Sequence, residues 1–256
     1  MGRTRHVVSI SALALVSVGL LACAPRGRAA EAGKSAKLPH VTFDVNKKQV
    51  RVECEALRVE GPLEFFLCRA GTAEHEAVLR SRALPSHVHV ALLAVGLKPG
   101  APLTFVEATE KWLPPHGPPL NMSVEFEKDG KTVSYPAYRW LLDMKTKKEP
   151  KAFQWVFTGS RVMQGDDNRY AADDTGYMVT LVNFDFAMID VPDLVSSSNE
   201  ALEWVANLDL MPPKGTKVTL VIEPAAKAPP GATTKPAGAG AGAGKASPAT
   251  QPSPRR

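Results

Sequence analysis

Cys54, Cys68, Glu74, His75, Glu76, His87 and His89 crowd into positions 54–89 of a 256-residue chain that has only three cysteines and six histidines. Three chemistries are open to such a set. Two cysteines form a disulfide, act as a reactive pair, or sit as buried thiols. A thiolate beside an imidazole, here Cys68 with His75, is an arrangement for acyl transfer, although no oxyanion loop or third partner accompanies it. Carboxylates and imidazoles together, here Glu74, His75, Glu76 and His89, are the donor types of a metal site. Spacing weighs against that site, because His87 and His89 point to nearly opposite sides of a helix. The plainer reading is one histidine at a helix N-terminus hydrogen-bonded to a strand carboxylate, and metal content stays open. Further along, Asp185 and Asp190 end a very apolar strand and add two acids. Asp166-Asp167-Asn168 and Asp173-Asp174 lack the glycine and closing glutamate of a calcium loop. Thr158-Gly159-Ser160 is not a nucleophile elbow, and no phosphate loop or dinucleotide fingerprint is present.

These side chains must be positioned by alternating strands. Val41–Val45 and Gln49–Cys54 flank Asn46-Lys47-Lys48 and predict a first hairpin. Val52–Val59 and Leu63–Arg69 flank Glu60-Gly61-Pro62 and predict a second. Its register sets Val59 opposite Leu63, Leu57 opposite Phe65, and Cys54 opposite Cys68. Directly opposed strand positions suit a disulfide. Glu74–Arg82 reads as a third strand that brings His75 near Cys68. Pro85 ends it, and Ser86 is a fitting N-cap for a helix from His87 to Val95, with Gly96 and Pro99 as stop signals. Val88, Ala91, Leu92, Leu93, Ala94 and Val95 leave that helix almost no polar side, so burial against the sheet is expected.

Strands are also expected over Thr104–Glu107, Asn121–Glu127, Thr132–Tyr135, Phe153–Gly159, Tyr177–Phe184 and Thr216–Ile222, with a Pro-rich loop at Trp112–Pro119 and a helix at Asn199–Ala206. The expected fold class is α+β: one domain, largely antiparallel hairpins packed on a buried central helix.

The ends read differently. Residues 1–23 carry Arg3 and Arg5, then an apolar run from Val7 to Leu21, as an export signal does. Leu20-Leu21-Ala22-Cys23 resembles the lipobox of bacterial lipoproteins, which implies acylation of Cys23. The alternative is a plain secretory cleavage near Ala29 or Ala30. Residues 24–38 suit a flexible tether, residues 39–223 form the globular domain, and the Pro/Ala/Gly-rich segment 224–256 is expected to be disordered. Both ends are basic, so the net charge of +5 overstates that of the domain. A nucleic-acid surface is not supported.

Several of these pieces together resemble a known family. Cys54–Gly61, Leu63-Glu64 to Cys68, Glu74-His75-Glu76, the His89-Val-Ala-Leu-Leu helix ending Gly96-Leu-Lys-Pro-Gly100, and Trp155-Val-Phe-Thr-Gly-Ser160 are similar to the YdjY domain of bacterial envelope proteins. That resemblance implies an exported, often lipid-anchored domain facing the periplasm, and no particular reaction. Some members are described as ferredoxin-like. Only two cysteines remain here after Cys23, too few for a cubane iron–sulfur cluster, so no such cluster and no other cofactor is expected. The oxidising compartment favours a Cys54–Cys68 disulfide among the three readings of the pair. The expected function is an envelope-anchored binding or accessory module, with the membrane and an envelope protein or cell-wall component as partners. The alternative is a small hydrolase or transferase, Cys–His or metal-assisted, centred on Cys68, His75 and His89 with Asp185 nearby. An enzyme would draw His75, His89 and an acid into one concave pocket.

Overall fold

The computed structural model of the chain describes residues 35–165, 168–198 and 201–225. The segments expected to be an export signal with Cys23, most of the expected tether and nearly all of the expected tail lie outside those residues. Within them, the strands are β1 (Ser35–Leu38), β2 (Val41–Asp44), β3 (Gln49–Ala56), β4 (Phe65–Arg69), β5 (Ala77–Ser81), β6 (Thr104–Val106), β7 (Lys111–Leu113), β8 (Pro119–Lys128), β9 (Lys131–Pro136) and β10 (Leu141–Asp143). They continue as β11 (Trp155–Phe157), β12 (Tyr177–Thr180), β13 (Ile189–Asp190), β14 (Trp204–Ala206) and β15 (Lys217–Pro224). Two helices complete the set, α1 (Pro85–Ala94) and α2 (Ala171–Thr175).

Eight strands close on themselves in the order β3-β15-β8-β11-β13-β12-β4-β5, with β5 returning to β3 through Glu55↔Arg80 and Ala56↔Leu79. Neighbours are antiparallel except β4/β5 and β12/β13, which run parallel. An eight-stranded barrel is just wide enough to be filled by its own side chains. Alternation supplies them: Val50, Val52, Cys54 and Ala56 of β3, Leu120, Met122, Val124 and Phe126 of β8, and Val218, Leu220 and Ile222 of β15 are all buried. They join Trp155, Phe157, Met178, Leu79 and Ile189 in one apolar cluster. β1 and β2 extend the sheet beyond β3, β9 extends it beyond β8, and β6/β7 and β10/β14 form separate ribbons.

Three expectations are corrected. The fold is a mostly-β closed barrel and not α+β, because inward strand residues already fill the core and leave no central place for a helix. α1 lies against β2, β3 and α2 instead. It buries Val88, Ala91 and Leu92, but Val90 and Leu93 are 51% and 44% exposed. Its first turn is capped from a distance: the cap position is Leu84, and the Ser86 N–H donates to Asp173 Oδ1 at 2.8 Å. Second, the hairpin joining β3 to β4 does not form. Arg58 takes a left-handed φ of 54° and its guanidinium donates to the Leu208 and Met211 carbonyls, both at 2.9 Å. The chain therefore crosses over instead of turning back, and β5 takes the place between β3 and β4. Third, the end of the helix expected at 199–206 is strand β14, paired with β10; residues 199–200 lie outside the described set.

Candidate functional site

The intervening strand decides the cysteines. Cys68 is level with Arg80 of β5, which faces Glu55 of β3, so Cys54 and Cys68 are two strand spacings apart. That is about 9–10 Å, beyond the Cα separation of up to about 7 Å that a disulfide bridges. Both are free, buried thiols, which corrects the expected disulfide. Burial pushes each thiol up to about 12. The Cys54 S–H points to the Val52 carbonyl at 3.4 Å, while Cys68 packs with Leu57, Phe65, Ala73 and Ala77 in a small cluster separate from the barrel core. A thiol held neutral in that way is not a nucleophile.

The histidines and acids disperse. His75 projects into solvent, with its side chain 80% exposed, and its Nε2 lies 3.6 Å from Glu76. Glu74 belongs to a charge network: it accepts from the Gly71 N–H at 2.8 Å and from Arg80 at 2.9 Å, which hold its carboxyl below the usual range. Arg80 also grips Glu55 at 2.7 Å. His87 Nδ1 is buried without a hydrogen-bond partner. His89 turns the other way, against the Phe157 ring edge, with Nδ1 2.8 Å from the Tyr170 hydroxyl, which donates onward to the Gly159 carbonyl at 3.1 Å. Burial lowers the His89 pKa. Gly159 is required there, since its φ is +87° and an added Cβ would come within 2.4 Å of Pro99. The Asp185 pKa is raised by burial against the opposing Arg161 charge. Neither of the two grooves described below is lined by His75, His89 or Asp185. Among the described residues no three His, Cys, Asp or Glu side chains are grouped as metal ligands, and the plainer expectation of a helix-end histidine bonded to a strand carboxylate is corrected too, since His87 Nδ1 has no partner and His89 pairs with a tyrosine hydroxyl.

Asp190 is the most deeply placed acid. Its Oδ1 accepts from Thr180 Oγ1, Asn183 Nδ2 and the Val191 N–H at 2.7, 3.1 and 2.7 Å, and its Oδ2 is buried without a partner. Burial pushes it up to about 7. Three donors on one oxygen make it a brace for the segment from 180 to 191.

Two concave features lie on the outer surface of the wall. One groove of ≈ 770 Å³ runs over β3, β15, β8 and β5, lined by Arg51, Glu55, Arg80, Glu125 and Lys217. Its charges are largely matched to each other: Arg51 reaches Glu125 across β15 at 2.6 Å, and His40 reaches Glu53 at 2.9 Å. The other is a notch of ≈ 280 Å³ between Asn121, Ser123 and Glu223 on one side and Tyr138 and Phe153 on the other. No chemistry-bearing motif marked those five residues. They come from four separate segments, and the only sequence signal was the aromatic run at 153–157.

A family model, the YdjY domain, matches residues 41–223. The chain belongs to the YdjY domain family. The match begins at the first residue of β2 and ends within β15, so the YdjY domain here is the whole barrel with its two helices. Comparison with curated proteins and with solved structures gives no match. No helix among the described residues is long and apolar enough to cross a membrane.

Proposed function

We propose that this YdjY domain is a binding or accessory module of the bacterial envelope, held to the membrane through an acylated Cys23 and presenting the outer face of β3, β15 and β8 to its ligand. The observation that carries this reading is where the concavities are. Both open on the outside of a filled barrel, while Cys68, His75 and His89 point into three different surroundings. Binding needs a shaped surface with a few fixed polar groups, and the cross-strand pairs Arg51–Glu125 and Gln49–Glu223 hold such groups in place. The anchor rests on the lipobox-like Leu20-Leu21-Ala22-Cys23.

Fractionation of cells expressing the full chain, beside the Cys23→Ser variant, tests the anchor: the first should sediment with membranes and the second should be released. Amide spectra of the mature Cys23→Ser chain, taken with and without a soluble cell-envelope extract, test the surface. Shifts should gather on Arg51, Ser123 and Thr219. Shifts centred on Cys68, His75 or His89 would contradict the reading.

A further inference from the structure

On its outer edge β8 has two successive partners. β9 pairs up to Ser123↔Pro136, and β11 takes over at Leu120↔Trp155. Asn121 and Met122 fall between them, facing no strand on that side, and Pro136 has no N–H with which to prolong the ladder. The fork opens the notch. Met122 and Trp155 are buried beneath it, and the half-buried rings of Tyr138 and Phe153 stand at its wall with centroids 6.3 Å apart. Phe153 is braced from behind by Trp155 at 4.5 Å and Trp204 at 6.0 Å, so the aromatic face is fixed before any ligand arrives.

The opposite wall is polar and carries a single charge. Asn121 Oδ1 accepts from Gln154 at 3.1 Å, which leaves its amide N–H groups free to donate. Glu223 receives Gln49 at 2.9 Å on one oxygen and keeps the other, and Ser123 adds a hydroxyl. No lysine, arginine or histidine lines the notch, so an anion has no partner in it. A bare cation would find one carboxylate only, Glu223, with one of its oxygens already taken by Gln49.

From this arrangement we infer a carbohydrate site: the notch takes one pyranose ring of a neutral glycan, with the apolar C–H face on Tyr138 and Phe153 and the hydroxyls on Asn121, Ser123 and Glu223. A sugar ring has the required two-sidedness, one face of C–H groups that packs on an aromatic ring and a rim of hydroxyls that needs both donors and acceptors. The ≈ 280 Å³ volume is near the lower end of ligand pockets, about 300 Å³, which suits one ring of a longer chain lying across the edge. This inference rests on the binding-module reading and supplies its ligand class.

The test is a titration of the ¹⁵N-labelled mature Cys23→Ser chain with maltotetraose, cellotetraose and chitotetraose at millimolar concentrations. At least one should produce saturable shifts at Asn121, Ser123, Gln154 and Glu223. Tyr138→Ala should weaken that binding tenfold or more, and so should Asn121→Ala, which alters an exposed side chain and leaves the core intact. Absence of saturable shifts at the notch with all three sugars overturns the inference. So does a response there to choline or to a proline-rich peptide in place of sugar. If envelope extract moves the outer-face amides and the sugars do not, the carbohydrate class alone is overturned; if neither moves them, the binding reading falls as well.

Discussion

Phe65, Tyr177 and Phe184 on one flank of the barrel, and Tyr138, Phe153 and Trp204 on another, are the same kinds of residue, yet only the second group leaves a cavity. In the first, all three rings contact each other, with centroids 4.7 to 5.2 Å apart, and Phe65 is 1% exposed. Glu64, Glu76 and Asp185 surround that packing, and burial raises each of them, Glu64 to about 7 with help from the nearby Glu76. In the second, the rings splay to about 6 Å, and amides and a hydroxyl face them across open space. The contrast follows from strand pairing. Tyr177 is level with Cys68 of the adjacent strand β4, which draws the first set shut, while the fork at Asn121 holds the second set open.

The largest effect expected from breaking that contrast is at Phe65. Phe65→Ala should cost about 3–5 kcal/mol, the usual loss for a fully buried aromatic, read from denaturant midpoints at unchanged slope. Tyr138→Ala should cost under about 1 kcal/mol, because a half-buried ring has less to lose. Equal losses would mean the two clusters are packed alike.

Next in size is Asp190, which braces the segment delivering Phe184 to the closed cluster. Burial raises its folded pKa to about 7, above the ordinary aspartate value of 3.8, so the folded state holds the proton more tightly. Stability is then present at low pH and lost as pH rises between about 4 and 7. Each pH unit crossed in that window removes about 1.36 kcal/mol, so roughly 3 kcal/mol should disappear between about pH 5 and pH 8. Asp190→Asn should flatten that slope, and an unchanged slope would place the proton elsewhere. Glu64 has the same sign and a smaller effect: about half exposed and screened by solvent, it should contribute under about 1 kcal/mol over the same interval, removed in Glu64→Gln.

Local features of this fold were legible in the sequence, and pairings between distant segments were not. The β2/β3 and β8/β9 hairpins follow from alternation around short turns at Asn46-Lys47-Lys48 and Asp129-Gly130, because each partner is the next strand in the chain. The place of α1 was marked by Pro85 and Gly96. Its burial was overestimated, since an apolar composition cannot say that Val90 and Leu93 find nothing to cover them. Glu60-Gly61-Pro62 read as a hairpin loop because matched apolar residues do not reveal whether a third strand slips between. The notch was illegible for a similar reason: Asn121, Tyr138, Phe153 and Glu223 meet only after β9 and β11 divide one edge of β8.

Closure of the barrel by β5, between β3 and β4, governs all these placements, including the burial of Cys68 and the outward position of both grooves. Thiol counting on the Cys23→Ser chain, purified without reductant under oxidising conditions, tests it most directly. A closed barrel leaves no reactive thiol in the native protein and releases two per chain after unfolding, from Cys54 and Cys68. No thiol after unfolding would mean that the two cysteines are joined, that β3 and β4 are neighbours, and that the barrel is not closed as described.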